Sequence, residues 1–201
     1  MYKNIVFDVG GVLFSYQWTV ALSMGGMSMD EAKVLGPKLF DDPMWNQLDL
    51  GIRPYMEVVE ELASHYPEYH DAIVNFLTDV ENMPIGRPVI WEKVHALKEK
   101  GYSLYILSNY SDYMFGRHTA GCPFIDEMDG ILVSYMVNVI KPDEGIYKAL
   151  LQRFDLDPSE CLFFDDRPEN IEGAKKCGID GIVVTGEDML AGELDKLLAV
   201  K

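Results

Sequence analysis

Basic residues are scarce in this sequence. The 201-residue chain carries 17 lysines and arginines against 33 aspartates and glutamates, which gives a formal net charge of −16 at pH 7. A surface with this charge repels the phosphate backbone of nucleic acids and the anionic face of a membrane. We therefore expect no nucleic acid and no membrane among its partners. A site for an anionic ligand would need positive charge concentrated locally, from a metal ion, a lysine or arginine, or helix N-termini.

Cysteine is also scarce, and long apolar runs are missing. Cys122, Cys161 and Cys177 have neither a Cys-x-x-Cys spacing nor the spacing of a zinc site, so we expect buried, reduced thiols. No apolar run approaches the roughly 20 residues of a membrane helix, and no basic segment followed by an apolar one precedes the first predicted strand. These features predict a cytoplasmic protein, and we expect a monomer or a weak dimer.

The chain is organised around the stretch that begins at Lys3. Its apolar run, Ile5–Phe7, predicts a strand buried on both faces of a sheet. The run ends at Asp8, and Gly10 and Gly11 follow, where glycine allows the chain to turn sharply. Open α/β sheets bind their ligands at the C-terminal ends of central parallel strands. Asp8 by itself is either such a ligand-binding group or a solvated residue that ends a strand.

The segment after this strand has a different pattern. Between residues 14 and 84 we find no convincing strand, and helical spacing of apolar residues dominates. Glycine and proline breakers divide the segment into short helices. An all-helical segment directly after the first strand predicts a cap domain over the site, at residues 16–84. The core domain is then formed by residues 1–15 and 85–201.

From Gly86 onward, apolar strands alternate with amphipathic helices. Strands are predicted at Ser103–Asn109, Gly130–Ser134, Cys161–Phe164 and Gly181–Thr185. Alternation of this kind favours right-handed crossovers and a parallel sheet with helices on both faces. We therefore predict an α/β fold, with a parallel sheet between helical layers and an inserted all-helical cap after the first strand.

Polar residues follow two more of the predicted strands. Ser108 and Asn109 end one of them, and Asp165 and Asp166 end another. Each of these residues is typical of a turn or a helix cap when taken singly. Because the C-terminal ends of parallel strands lie along one edge of a sheet, we expect these groups to converge with Asp8.

The carboxylates in this set suit phosphoryl transfer. A carboxylate such as Asp8 can attack a phosphoryl group and form an aspartyl-phosphate. Mg²⁺ held by Asp8, Asp166 and a backbone carbonyl would offset the repulsion between the two anions. Without a cation, the adjacent carboxylates Asp165 and Asp166 would repel each other.

Lys141 lies between the second and the last of these strands. Pro142 follows it and opens a helix, which fixes the local direction of the backbone. In a chain poor in cations, this position favours a functional lysine over a solvated surface charge. Lys141 would neutralise a phosphate oxygen, and Ser108 and Asn109 would donate hydrogen bonds to the same group.

Four stretches together resemble the four motifs of the haloacid dehalogenase-like (HAD) hydrolase superfamily. They are Phe7–Val12, Leu107–Asn109, Lys141-Pro142 and Phe164–Asp166. The tail of the last motif, Asp165–Ala174, is similar to the phosphatases of this superfamily, in particular to the subgroup that includes bacterial alpha-glucose-1-phosphate phosphatases. The resemblance implies a Rossmann-like core, a helical cap, Mg²⁺ as cofactor and an aspartyl-phosphate intermediate.

The resemblance also implies roles for individual residues. The catalytic residues would be Asp8, as the nucleophile, and Lys141. The metal ligands would be Asp8, the carbonyl oxygen of Gly10, Asp166 and, beside it, Asp165. The phosphate-binding residues would be Ser108, Asn109, Lys141, Gly10 and Gly11.

One position departs from the pattern of the superfamily's phosphatases. They usually carry a second aspartate two residues after the nucleophile, as general acid and base, and in this chain that residue is Gly10. General acid–base catalysis contributes about 10²–10⁴-fold to a rate. A sugar 1-phosphate would depend on such an acid less, because its anomeric oxygen is a better leaving group than a simple alkoxide.

Three functions follow from these observations. The leading one is a Mg²⁺-dependent phosphomonoesterase that hydrolyses a small phosphorylated metabolite, in particular a sugar phosphate. Gly10 motivates the second, a phosphate-binding pseudoenzyme or a slow phosphatase that lacks the general acid. The third, a 2-haloacid dehalogenase, conflicts with the acidic pair Asp165 and Asp166, because the dehalogenases of the superfamily need no metal and lack this pair.

Substrate specificity is expected to come from the cap and from the rim of the site. Candidate contacts are Trp45, Gln47, Asp49 and Arg53 in the cap, and Tyr110 just after the second motif. A core position for Trp45 and solvated positions for the other cap residues are the alternative interpretations.

Overall fold

Seven strands and eleven α-helices occur in the part of the chain that the structure, a computed structural model, describes, residues 1–79 and 83–200. The strands are β1 (Asn4–Phe7), β2 (Phe14–Tyr16), β3 (Pro84–Gly86), β4 (Ser103–Ser108), β5 (Gly130–Val133), β6 (Cys161–Asp165) and β7 (Asp180–Val183). The helices are α1 (Trp18–Met24), α2 (Met29–Phe40), α3 (Pro43–Leu50), α4 (Tyr55–Ser64), α5 (His70–Thr78), α6 (Pro88–Glu99), α7 (Asp112–Thr119), α8 (Pro123–Asp126), α9 (Glu144–Phe154), α10 (Pro168–Lys176) and α11 (Glu187–Ala199).

A five-stranded parallel sheet forms the centre of the molecule, in the order β5-β4-β1-β6-β7. Strand β1 lies in the middle, and its last residue, Phe7, is in register with Ile106 of β4 and Phe164 of β6. All four residues of β1 are buried, as expected for an apolar run with helices on both faces of the sheet. The predicted α/β fold with a Rossmann-like parallel sheet is confirmed.

Helices α1 to α5 form an insertion between β2 and β3, which we call the helical insertion (residues 18–78). Strands β2 and β3 pair in an antiparallel ribbon, so the chain leaves and re-enters the core at one place. The expectation that residues 14–84 contain no strand is wrong at Phe14–Tyr16 and at Pro84, where β3 begins. These strands have only three residues each, which is too short for an alternating pattern to be recognised.

Local signals set the bounds of several helices. Helix α2 begins with a capping box, in which Ser28 accepts from the backbone of Glu31 and the Glu31 side chain accepts from that of Ser28. Helix α3 begins at a proline after Asp42, which caps it, and ends at Gly51 in the left-handed conformation. The boundaries predicted for the cap, at residues 16 and 84, fall in the ribbon of β2 and β3; residues 80–82 of the cap lie outside the described residues. The division into core and cap stays our proposal.

The remaining expectations about the chain concern its thiols and membranes. Cys122, Cys161 and Cys177 are free thiols, of which Cys161 is buried and the other two are partly buried. Within residues 1–79 and 83–200, none of the helices has the length and apolar character needed to cross a membrane.

Candidate active site

Asp8 lies at the C-terminal end of β1, between the ends of β4 and β6. Its backbone N–H donates to the carbonyl of Phe164 at 2.8 Å, which extends the ladder of the sheet by one residue. The side chain is buried, and its Oδ1 interacts with three donors: the backbone N–H of Val9 at 2.7 Å, Ser108 Oγ at 2.6 Å and Lys141 Nζ at 3.0 Å. The predicted approach of Ser108 to Asp8 is thus present, and Lys141 contacts the same carboxylate oxygen.

Lys141 is a buried cation held between two carboxylates. Its Nζ lies 3.0 Å from Asp8 Oδ1 and 2.6 Å from Asp165 Oδ2, and it donates to the carbonyl of Leu107 at 3.0 Å. Burial alone would lower the pKa of Lys141, but the carboxylates of Asp8 and Asp165 outweigh that effect and raise it. The ammonium group therefore stays charged at neutral pH and is fixed beside Asp8.

Asp165 is fully engaged by neighbouring groups. Besides its contact with Lys141, it accepts from the backbone N–H of Arg167 at 2.8 Å and from Asn170 Nδ2 at 2.9 and 3.0 Å. These bonds use both oxygens of the carboxylate. Asp165 thus orients Lys141, and the adjacent Asp166, which is exposed, is the less constrained of the two carboxylates.

The side chain of Asn109 has a different set of partners from the one predicted. Its Oδ1 accepts from the backbone N–H of Lys141 at 2.8 Å, and its Nδ2 donates to the carbonyl of Lys141 at 3.0 Å. The amide therefore pairs with both backbone groups of Lys141, in the manner of a strand neighbour. Asn109 fixes the loop that carries the lysine, and this engagement leaves its side chain poorly suited to a direct phosphate contact.

Three carboxylates form a cluster at this edge of the sheet. One oxygen each of Asp8, Asp165 and Asp166 lie within 4.8 Å of one another. Burial raises the pKa of Asp8, and although Lys141 and Ser108 lower it, Asp165 and Asp166 add to the rise. Burial and the charge of Asp165 likewise raise the pKa of Asp166. A cation in the cluster would relieve this repulsion.

The donor set fits Mg²⁺, which prefers hard oxygen ligands. Asp8 and Asp166 would supply carboxylate oxygens, and the turn after Asp8 would supply a backbone carbonyl. That turn packs tightly against the cluster, because a Cβ on Gly11 would lie only 2.4 Å from Asp166 Oδ2. Gly11 also has a φ of +67°, in the left-handed region that favours glycine.

A cavity of about 480 Å³ opens above these residues, between the sheet edge and the helical insertion. The core contributes its polar floor, and the insertion contributes much of its wall. The floor residues are Asp8, Gly10, Gly11, Ser108, Asn109, Lys141, Asp166 and Asn170. The aromatic residues of the wall are Tyr16, Trp18, Phe40, Trp45 and Tyr110. This volume is typical of pockets for small molecules.

The candidate specificity residues divide into two groups. Trp45, Asp49 and Tyr110 line the cavity, and Trp45 also packs against Phe40 with their ring centroids 4.8 Å apart. Gln47 is not among the lining residues of the cavity. Arg53 lines a separate groove and pairs with Glu61 at 2.7 Å.

Tyr16 and Asn170 are among the cavity residues that the sequence analysis missed. Tyr16 lies in the short β2, and its ring fills the space beside Gly10, where a Cβ would lie 3.0 Å from Tyr16 Cε2. Its hydroxyl is hydrogen-bonded to the hydroxyl of Tyr110. The Tyr110 hydroxyl oxygen in turn lies 2.7 Å from Nδ1 of the buried His118. Asn170 lies five residues after Asp165, at a spacing that does not by itself indicate a contact with that carboxylate.

The fold and the site define a Rossmann-like α/β protein with a lysine-paired carboxylate at the end of its central strand and a helical insertion above it. The chain belongs to the family of haloacid dehalogenase-like hydrolases, whose family model matches residues 2–178. This match confirms the family predicted from the four motifs.

Known proteins resemble the chain over most of its length. Phosphatase MT3486 of Mycobacterium tuberculosis is 26% identical over 90% of this chain and 86% of its own length. D-ribitol-5-phosphate phosphatase of Bacteroides thetaiotaomicron is 25% identical over 90% of each chain. The HAD family enzyme bt-2542 of the same organism, solved in complex with magnesium and inorganic phosphate, has a TM-score of 0.70 at 20% identity, over 91% of this chain and 94% of its own.

Proposed function

We propose that the protein is a Mg²⁺-dependent phosphomonoesterase that hydrolyses a small phosphorylated metabolite through an aspartyl-phosphate on Asp8. One observation carries this proposal: the buried carboxylate of Asp8 is held by Ser108 and Lys141 at 2.6 and 3.0 Å, beside two further carboxylates and under a small-molecule cavity. A fixed carboxylate beside a fixed cation is suited to attack on an anionic phosphoryl group.

Five residues of the floor have a direct place in this reaction. Because three donors engage Asp8 Oδ1, we assign the attack on phosphorus to Oδ2. Lys141 neutralises charge on the phosphoryl oxygens. Ser108 exchanges its hydrogen bond to Asp8 for one to a phosphoryl oxygen. Gly10 and Gly11 lie on the floor of the cavity and present backbone groups to the same ligand.

Asp8, the carbonyl of Gly10 and Asp166 would hold Mg²⁺, with Asp165 beside them. The bound metal supplies charge neutralisation between the nucleophile and the phosphate. The complex of bt-2542 with magnesium and inorganic phosphate supports this cofactor for the family. Asp165 serves mainly by orienting Lys141, since its oxygens are already engaged.

A sugar phosphate is the substrate class we favour. The cavity of about 480 Å³ has room for a small phosphorylated molecule, and both polar and aromatic residues line it. The similarity to a D-ribitol-5-phosphate phosphatase over 90% of the chain supports a phosphorylated sugar or sugar alcohol. Trp45, Asp49 and Tyr110 are the residues we expect to contact the part of the substrate beyond the phosphate.

The second candidate function is a slow phosphatase or a phosphate-binding pseudoenzyme. Gly10 favours it, because the position two residues after Asp8 has no carboxyl group and the ring of Tyr16 fills the adjacent space. A 2-haloacid dehalogenase is disfavoured by the third carboxylate at the site, Asp166, which would repel a haloacid anion without a metal. Chloride release from 2-chloropropionate would favour that function instead.

The test is phosphate release from p-nitrophenyl phosphate and from a panel of phosphorylated metabolites, with and without Mg²⁺. We expect Mg²⁺-dependent turnover, which Asp8→Asn lowers by at least about 10³-fold because the nucleophile is lost. Asp41→Asn, at an exposed aspartate of the helical insertion, is the matched control and should retain the wild-type rate. Phosphate binding without turnover of any ester would contradict the proposed phosphomonoesterase function and favour the phosphate-binding pseudoenzyme.

A further inference from the structure

Asp49 extends from the helical insertion into the same cavity as Asp8 and Gly10. It is the second-last residue of α3 and is partly buried. The anionic form of a carboxyl at this end of a helix is disfavoured by the helix dipole. Among the carboxyl groups of the insertion that the structure describes, it is the one that lines the cavity.

The core holds this end of α3 in place. The buried Ser134 donates to the carbonyl of Asp49 at 2.6 Å, and its Oγ also accepts from the backbone N–H of Tyr110 at 3.0 Å. Asn138 Nδ2 donates to the carbonyl of Leu50 at 2.8 Å. Ser134 thus joins Asp49 to the loop that follows Ser108, so the position of Asp49 relative to the cavity floor is fixed by the core.

The position two residues after the nucleophile, by contrast, holds no carboxyl group. Gly10 has no side chain, and a Cβ there would lie 3.0 Å from Tyr16 Cε2. The hydroxyl of Tyr16 is bonded to Tyr110, whose own hydroxyl is bonded to His118. A carboxyl group that gives a proton to the leaving group must therefore come from another part of the cavity wall.

We propose that Asp49 is the general acid of this site, and that it donates a proton to the leaving oxygen of the phosphate ester in place of the carboxyl group absent at Gly10. The inference rests on the proposed phosphomonoesterase function. It makes Asp49 a catalytic residue contributed by the helical insertion rather than by the core.

Asp8 Oδ2 forms a bond to phosphorus while the bond between phosphorus and the ester oxygen breaks, and the proton of Asp49 passes to that oxygen, which leaves as the alcohol. A water molecule then attacks phosphorus, and its proton passes to the Asp49 carboxylate. The bond from phosphorus to Asp8 breaks with its electron pair on Oδ2, so ester and water become alcohol and phosphate.

The electrostatic surroundings of Asp49 support this role. Burial raises its pKa to about 7, with a further rise from the charge of Asp8, against the lowering effects of Lys141 and Arg167. A group with this pKa can both give and accept a proton near neutral pH. The tyrosines that interact with its charge are Tyr16, Tyr55 and Tyr110. Burial also raises the pKa of Tyr16, so that phenol is less able than Asp49 to release its proton.

The test compares two aryl esters that differ in their need for an acid. Phenol is a weak acid, with a pKa near 10 as in tyrosine, whereas p-nitrophenolate leaves readily without a proton. We expect Asp49→Asn to lower kcat/KM for phenyl phosphate by about 10²–10⁴-fold and for p-nitrophenyl phosphate by less than about tenfold. kcat/KM is the parameter to compare, because it reports the steps up to loss of the alcohol. The exposed Asp41→Asn should change neither value.

A second measurement needs no variant. In the wild-type protein, the ratio of kcat/KM for phenyl phosphate to that for p-nitrophenyl phosphate should fall as pH rises through about 7, because Asp49 loses its proton. A third readout is the binding of inorganic phosphate in Mg²⁺, by calorimetry. Asp49→Asn and wild type should bind equally at about pH 6, and the variant more tightly at about pH 8, where the wild-type carboxylate repels phosphate.

The outcomes separate this inference from the proposed function. If the wild-type protein hydrolyses neither ester in Mg²⁺, the proposed function is wrong and the inference falls with it. If both esters are hydrolysed and Asp49→Asn reduces them equally, or not at all, the function stands and Asp49 is not the acid. A selective loss on phenyl phosphate in Tyr16→Phe instead of Asp49→Asn would likewise overturn the inference.

Discussion

Gly10 is the residue at which this chain departs most from the chemistry expected of its site. In the structure, its lack of a side chain has a packing reason as well as a chemical consequence. The ring of Tyr16 occupies the space beside it, and the hydroxyl of Tyr16 is held by Tyr110. Tyr16 therefore packs in the space that a side chain at position 10 would need, and in our proposal Asp49 takes the role of the acid.

The first prediction concerns restoring the missing carboxyl group. We expect Gly10→Asp to lower kcat/KM rather than raise it, because the Cβ of the new side chain would lie only 3.0 Å from Tyr16 Cε2. Overpacking of this kind costs about 1–3 kcal/mol of unfolding free energy. Steady-state kinetics on phenyl phosphate and denaturant unfolding measure the two effects. Gly192→Asp, where a Cβ meets nothing within 4 Å, is the control; a gain in kcat/KM by Gly10→Asp would contradict the account.

At the scale of residues, the polar groups at the C-terminal ends of the strands were predictable, and the hydrogen bonds of their side chains were not. Asp8, Ser108 and Asp166 follow short apolar runs, and parallel strands bring such residues to one edge whatever their side chains do. The amide of Asn109 was assigned to phosphate, yet it pairs with the backbone of Lys141. Sequence alone could not predict this pairing, because it depends on how closely two loops approach each other.

At the scale of elements, helix α6 and the residue before it hold the turn that follows Asp8. Arg87 Nη1 donates to the carbonyls of Gly11 and Val12 at 2.6 and 3.0 Å, and Trp91 Nε1 donates to the carbonyl of Leu13 at 2.8 Å. Three successive carbonyls thus receive hydrogen bonds from α6 and the residue before it. The buried Arg87 therefore fixes the turn whose backbone would bind both metal and phosphate.

The second prediction tests this support. Arg87→Met should lower the unfolding free energy by about 1–3 kcal/mol, because it leaves buried carbonyls without a donor. It should also weaken Mg²⁺ binding, since the turn at Gly10 is no longer fixed; calorimetry measures the affinity. Lys93→Met is the control on the same helix, because its ion pair with Asp195 lies near the surface and is worth at most about 1 kcal/mol. Equal losses in the two variants would contradict the role of Arg87.

The elements themselves were predictable to the extent that they have a long pattern. The buried strands β1, β4 and β6 were found because each is an apolar run that ends in polar residues. Strands β2 and β3 were missed because three residues show no period. The position of Asp49 beside the cavity floor could not be predicted, for another reason. It depends on the packing of α3 against the core loop at Ser134, which no local sequence pattern encodes.

At the scale of the whole molecule, the site concentrates negative charge in a protein that is already strongly acidic. Burial raises the pKa values of Asp8, Asp49 and Asp166, with Asp49 reaching about 7. A carboxyl whose pKa is higher in the folded state binds more protons there than in the unfolded state. The stability of the metal-free protein must then fall as pH rises from the ordinary carboxyl range towards about 7.

The third prediction follows from this sign. After metal removal with a chelator, we expect the Tm to be higher at about pH 5.5 than at about pH 8, by roughly 5 °C. Mg²⁺ should raise the Tm more at the higher pH, because protons no longer compete for the carboxylates. Calorimetric unfolding measures both effects, and Asp166→Asn should reduce the gain from Mg²⁺. A Tm that rises with pH over this interval would contradict the raised pKa values of these carboxyl groups. An equal gain from Mg²⁺ at both pH values would count against the carboxylate cluster as a metal site.

The proposed reaction depends on covalent chemistry at Asp8. The direct measurement is rapid acid quenching of the protein during turnover of p-nitrophenyl phosphate in Mg²⁺, followed by mass spectrometry of its peptides. We predict the mass of one phosphoryl group on Asp8, and none on the same peptide from Asp8→Asn. Steady release of phosphate with the phosphoryl group on another residue, or undiminished release by Asp8→Asn, would contradict the account.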